Sequence, residues 1–201
     1  MKSKLHEKIS SFELQEDMNK PFYFSLFSKE IVYTGSLLQS IYTWLGSKWE
    51  EFAEILASDN FRRVERRYKL EGEITPIEQT TIDNALKDLE QRSRNVNIDI
   101  IKQELIEASI KGGLRRKTVE TVDLYLENED HEYYIELKSG EPNKNEMRAA
   151  KQDLLNILAI RQKKLSIKNV FTFLAIPFNP YYTGKYRRWT VTKFFKVKTS
   201  L

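Results

Sequence analysis

The chain has 201 residues, 40% hydrophobic, 31% charged and 12% aromatic, with a formal net charge of +4. This is ample for one ordinary domain with a buried core and too apolar for a disordered chain. With no cysteine and only two histidines, His6 and His131, a disulfide scaffold, a thiolate zinc site, a cysteine nucleophile and a multi-histidine metal centre are excluded.

No apolar run approaches the roughly 18 residues of a membrane span. The mixed-charge start MKSKLHEKISSFELQED has no apolar signal core, so a soluble cytoplasmic protein is expected. Residues 1–111 read as mostly helical. A first helix is predicted around 5–18, stopping near Asn19 and Pro21. A second starts near Ser36 and either breaks or continues at Gly46. In it Trp49, Phe52, Ala53 and Leu56 fall at i, i+3, i+4 and i+7, which predicts a core stripe. After Pro76, IEQTTIDNALKDLEQRS and NIDIIKQELIEASI give two more helices, the second ended by Gly112-Gly113.

The character then changes. KTVETVDLYL and HEYYIELK, joined by the polar ENED, predict a β-hairpin. A helix opens between Pro142 and Asn145 and carries Ala150, Leu154, Ile157, Leu158 and Arg161. NVFTFLAIPF is apolar on both faces and reads as a buried strand ended by Pro177. The expected fold is α/β, a mixed sheet flanked by helices within one domain over 1–201. Its mainly helical part is 1–111, and 112–190 holds the hairpin, a helix, a strand and a basic-aromatic segment.

Alternation sorts the hairpin by face. Val122, Leu124 and Leu126 share one face, and Thr121, Asp123 and Tyr125 the other; Tyr134, Glu136 and Lys138 lie together on the second run. The most symmetric closure sets Leu124 against Ile135, Val122 against Leu137, and Asp123 opposite Glu136, with Lys138 beside them. Facing carboxylates repel. A Mg²⁺ ion would compensate, since it takes one or two carboxylates plus water and phosphate oxygens. A nearby lysine can stabilise charge developing at phosphorus or help deprotonate water. Glu136-Leu137-Lys138 is the only acid-x-Lys triplet in the chain, and with Asp123 it makes a compact centre for phosphodiester hydrolysis. The alternative is an edge hairpin showing charge to solvent, with Lys138 screening both acids.

Charge is unevenly spread. Residues 154–201 hold ten bases and no acid, whereas the first 153 carry 23 bases and 29 acids. A solvated face accounts for the bases alone. The rings interleaved in FNPYYTGKYRRW (Phe178, Tyr181, Tyr182, Tyr186 and Trp189) add stacking surface and favour nucleic-acid phosphate as the partner. The loop Gly112 to Lys117, with Arg115 and Arg116, and the helix residues Lys144 and Lys151 are further candidate phosphate contacts. His131 is expected at the surface, and no glycine pattern supports nucleotide binding.

VDLYL followed by IELK resembles the PD-(D/E)xK nuclease signature, with Val122 in place of the eponymous proline. KSGEPNKNEMRAAKQDLL and IPFNPYYTGKYRRWT extend the likeness to the TdeIII-like type II restriction endonucleases, over roughly residues 40–190. The resemblance implies a restriction-endonuclease fold and Mg²⁺-dependent cleavage of double-stranded DNA by a homodimer, with a 5′-phosphate left at the cut. It further implies a GGNCC site and a cognate methyltransferase encoded nearby. It casts Asp123, Glu136 and the Leu137 carbonyl as metal ligands, Lys138 as the residue that orients or activates water, and Lys185, Tyr186, Arg187, Arg188 and Trp189 as DNA contacts. The same fold usually offers a helix glutamate, and LGSKWEEFAEIL resembles that helix. Glu50 lies about 110° from the centre of its apolar stripe and Glu51 and Glu54 about 150°, which makes Glu50 the candidate. Relatives usually continue past RWT, where this sequence has only VTKFFKVKTSL, so a minimal or a truncated enzyme is expected. A non-catalytic DNA-binding protein with this fold, or a repair or junction nuclease, is the alternative function.

Overall fold

The computed structural model of the chain describes residues 2–12, 21–162, 168–182 and 184–197. It divides into two compact units, Met1–Trp49 and Glu50–Leu201. The first holds α1 (Lys2–Ser10), α2 (Pro21–Leu26) and the opening of α3 (Lys29–Ser58). There Tyr33 Oη donates to the Phe12 carbonyl at 3.3 Å and the two rings meet edge to face. α3 begins earlier than the predicted Ser36 and passes Gly46 without a break. Positions 13–18 of the predicted first helix lie outside the described residues, as do Lys163, Lys164 and Lys198 of the basic tail.

The second unit continues with β1 (Arg63–Ile74), α4 (Pro76–Gln91), α5 (Ile98–Ile110), β2 (Arg116–Glu127), β3 (His131–Leu137), α6 (Lys144–Gln162), β4 (Asn169–Ala175) and α7 (Trp189–Phe194). The sheet runs β1-β2-β3-β4. β1, β2 and β3 are antiparallel neighbours, and α6 carries the chain across so that β4 pairs parallel to β3. The mixed α/β architecture expected from the sequence is present.

Local signals explain the helix limits. Thr75 caps α4 reciprocally: its Oγ1 accepts from Glu78 N–H (3.2 Å) and Glu78 Oε2 accepts from Thr75 N–H (2.7 Å), with Pro76 in the first turn. Asn97 caps α5 in one direction only, its Oδ1 accepting from the Asp99 and Ile100 N–H groups. The main core joins α4, α5, α6 and α7 to one face of the sheet, with Ile82, Leu86, Ile101, Leu105, Leu155, Val122, Tyr125, Tyr134 and Phe194 fully buried. A smaller cluster joins Ala57 of α3 to Leu124 and Leu126, with Ala53, Phe61, Val64, Tyr133 and Ile135 packed on it.

Four expectations change. β1 lies inside the part expected to be mainly helical; its apolar positions Val64, Tyr68, Leu70 and Ile74 share one parity, yet the strand changes face midway, so Val64 packs in the smaller cluster and the other three with the main core. The α3 stripe is turned: Ala53 and Ala57 pack inward, while Phe52 and Leu56 are 46% and 60% exposed. Small side chains let the helix approach the sheet, and Glu50 and Glu54 flank them to pair with Arg67 and Arg66 of β1. β4 is an edge strand with Phe173 exposed, not a buried one. Finally, Val122 belongs to the main core and Leu124 and Leu126 to the small cluster, so these three do not share a face.

Candidate active site

β2 and β3 pair in the predicted register, from Glu127↔Glu132 to Leu124↔Ile135, and there the ladder stops. The expected pairs Asp123–Glu136 and Val122–Leu137 are absent from it. Instead the Leu137 N–H donates to Asp123 Oδ2 at 2.7 Å, so a carboxylate replaces the backbone acceptor that the ladder would have offered. Beyond it the Lys138 N–H donates to the Ala175 carbonyl of β4 at 3.0 Å, which fixes the end of the strand.

At this open end three charged groups meet. Lys138 Nζ lies 3.0 Å from Glu136 Oε2 and 3.9 Å from Asp123 Oδ2. Glu136 is 5% exposed. Burial and then the Asp123 charge push its carboxyl up to about 7, against the opposing pull of Lys138. Burial alone would lower the Lys138 amine, but Glu136 and Asp123 together hold its pKa above the ordinary lysine value. The ammonium is therefore held charged between two acids, one of which is ionised only at a cost.

α6 adds groups that the sequence reading passed over. Burial raises the Asp153 carboxyl, with Lys138 opposing and Asp123 reinforcing the shift. Three residues on, Asn156 Nδ2 donates to Glu120 Oε1 at 3.0 Å, and Thr118 Oγ1 donates to the same oxygen at 2.9 Å. Burial raises Glu120 as well. The i, i+3 spacing of Asp153 and Asn156 on the predicted helix was the available signal.

The donor set suits a hard cation. Among the described residues no three His, Cys, Asp or Glu side chains form a metal-binding group. Asp123 and Glu136 offer two carboxylates, and the Leu137 carbonyl lies between Glu136 and Lys138 in the strand. Two carboxylates completed by water and phosphate oxygens match the habit of Mg²⁺. A cation there would also offset the burial and the Asp123 charge that together raise Glu136.

The remaining candidates fall into distinct settings. Glu50 is mostly buried and its Oε2 accepts from Arg67 Nε at 3.1 Å. Arg115 and Arg116 are exposed where β2 begins. Lys185, Arg187 and Trp189 are exposed, with the Arg187 guanidinium 5.9 Å over the Tyr181 ring. Tyr186 Oη donates to the Gly140 carbonyl (2.9 Å), Thr190 Oγ1 to the Pro142 carbonyl (2.7 Å), and Arg188 pairs with Glu141 (3.8 Å). The basic-aromatic segment is thus fastened to the loop that leaves Lys138. Lys144 is engaged by Glu90. Lys151 is corrected as a phosphate contact: it is 4% exposed, with Nζ 5.0 Å over the Phe195 ring, because it sits on the inward side of α6. His131 is half-buried and lies beside the stacked rings of Tyr133 and Phe171. Among the described residues no helix is long and apolar enough to cross a membrane.

The chain is 28% identical to the type II restriction enzyme HgiCII of Herpetosiphon aurantiacus over 164 residues, covering 81% of this chain and 59% of that protein. It is 25% identical to HgiEI of the same organism over 176 residues, covering 87% and 61%. Against MjaII of Methanocaldococcus jannaschii it is 30% identical over 139 residues, covering 69% and 36%. The chain thus spans about three fifths of the Herpetosiphon enzymes it matches. No solved structure gives a significant match. The family model described as type II restriction endonuclease, HinfI, matches residues 1–201, and on that full-length match the chain belongs to the HinfI family of type II restriction endonucleases.

Proposed function

We propose that this protein is a site-specific deoxyribonuclease that hydrolyses phosphodiester bonds in double-stranded DNA with Mg²⁺, leaving 5′-phosphates. The observation that carries this reading is a single lysine ammonium within 4 Å of two carboxylates, Asp123 and Glu136, at the open end of a hairpin. Asp123, Glu136 and the Leu137 carbonyl would hold the ion, which when bound supplies positive charge to the scissile phosphate. Lys138 orients the attacking water and stabilises negative charge gathering on the phosphate oxygens. Glu50 is a further acid bordering the centre. Arg115, Arg116, Lys185, Arg187 and Trp189 meet the DNA backbone or bases from the surface, while Tyr186 and Arg188 hold the segment to the loop after Lys138.

The finer reading is a single nuclease domain acting as a homodimer in the cytoplasm on a GGNCC site, beside a methyltransferase that protects the host. Digestion of unmethylated phage DNA with Mg²⁺, followed by sequencing of the ends, tests it. Discrete fragments with one terminal sequence are expected; cutting that follows DNA structure rather than sequence would indicate a repair nuclease. Lys138→Ala should slow cleavage about 10²–10⁴-fold while a gel shift shows DNA binding retained. A fully active variant would remove the mechanism.

A further inference from the structure

The sheet changes sides at one point. In β1, Tyr68, Leu70 and Ile74 pack with the main core, and Gly72 lies so near Ile160 of α6 that an added Cβ would sit 2.2 Å from its Cγ2. Val64 packs instead in the small cluster with Ala57. Strict alternation would put Val64 and Tyr68 on the same face. β2 changes likewise, with Val122 and Tyr125 in the main core and Leu124 and Leu126 in the small cluster. The stack of Tyr68 on Tyr125, 4.2 Å between ring centres, records the same switch. In the ladder Tyr68 faces Val122, and Tyr125 faces Glu65.

Both strands switch at the same rung. Arg66↔Leu124 and Tyr68↔Val122 are pairs, Arg67 and Asp123 between them are not, and the register is the same on either side. Arg67 has φ 52°, in the left-handed region that residues with a Cβ rarely adopt. Its guanidinium is pinned by Glu50.

We propose that Arg67 is a positioning residue whose left-handed backbone turns β1 and β2 together, freeing Asp123 from the alternating pattern so that its carboxylate reaches the Leu137 N–H and Lys138. The reaction this serves rests on the nuclease reading; the aiming of Asp123 does not.

Four variants that all remove the guanidinium separate backbone from side chain: Arg67→Gly and Arg67→Asn, which tolerate positive φ, and Arg67→Ala and Arg67→Val, which do not. Hydrogen exchange at the Leu137 amide reads the Asp123 contact directly, and calorimetric titration with Mn²⁺ alone reads the acid pair. Exchange should be slow in Arg67→Gly and Arg67→Asn and at least tenfold faster in Arg67→Ala and Arg67→Val, with Mn²⁺ affinity falling in the same order. If Arg67→Val does not fold, Arg67→Ala carries the comparison. Four equal variants, whether all like the parent or all impaired, would overturn the proposal. A parent that neither binds Mn²⁺ nor cuts DNA, with the exchange order intact, would sink the nuclease reading and leave the positioning role standing.

Discussion

Replacing Glu136 by glutamine asks whether the site carries electrostatic stress that only a cation relieves. Glu136 is 5% exposed, and burial together with Asp123 lifts its carboxyl from an ordinary 4.5 to about 7. An acid raised on folding contributes stability that is complete below its unfolded pKa and lost as pH climbs through the folded one. At 1.36 kcal/mol per unit, going from pH 5 to pH 8 should cost the protein about 2.5 kcal/mol through this group. In a chain of this size that lowers Tm by about 5–10 °C. Thermal melts across that interval should show the parent falling more steeply than Glu136→Gln by this amount. Asp153 and Glu120 are shifted in the same direction and steepen both curves, so the difference between them reports Glu136. At pH 8, Mg²⁺ should restore Tm in the parent and do little in the variant. Parallel curves would refute the account of a strained carboxylate pair.

Gly140→Ala would bring a Cβ within 2.6 Å of the Phe178 ring, so the ring and the 178–190 segment behind it must shift. Overpacking of this kind costs about 1–3 kcal/mol, and we expect a lower Tm with DNA affinity in a filter-binding assay reduced several-fold. Lys151→Met should leave DNA affinity unchanged and raise Tm at pH 7. Burial and the nearby Arg94 push that amine down to about 8, so below that pH its charge opposes folding, and the gain should shrink as pH rises toward the ordinary lysine value.

The hairpin was legible because its two apolar runs, Val122 to Leu126 and Tyr133 to Leu137, admit one symmetric closure, and the ladder follows it as far as Leu124↔Ile135. Past that rung the sequence misleads. Period-two alternation presumes an unbroken ladder, and nothing in the letters marks Arg67 as left-handed or takes Asp123 out of pairing. β1 was masked differently: Val64, Tyr68, Leu70 and Ile74 keep a period of two, but seven of its twelve residues are charged and Arg66 breaks the apolar series. On α3 the predicted stripe puts Phe52 and Leu56 inside along with Ala53, yet close approach to a sheet favours Ala53 and Ala57. Asp153 escaped notice because helical spacing gives its face but not what lies opposite, and long-range pairing supplies that. Lys151 failed for the related reason that charge suggests surface, whereas its neighbours Ala150, Leu154 and Leu155 are all buried.

The fastening of the basic-aromatic segment carries a consequence for fidelity. Three of its side chains hang on residues 140–142, and the first of these is two positions beyond Lys138. On the proposed nuclease reading, grip and blade share one short stretch of backbone, so a duplex that seated the tail askew would also drag the amine off its mark. Misfit DNA would then be released uncut without any separate checkpoint.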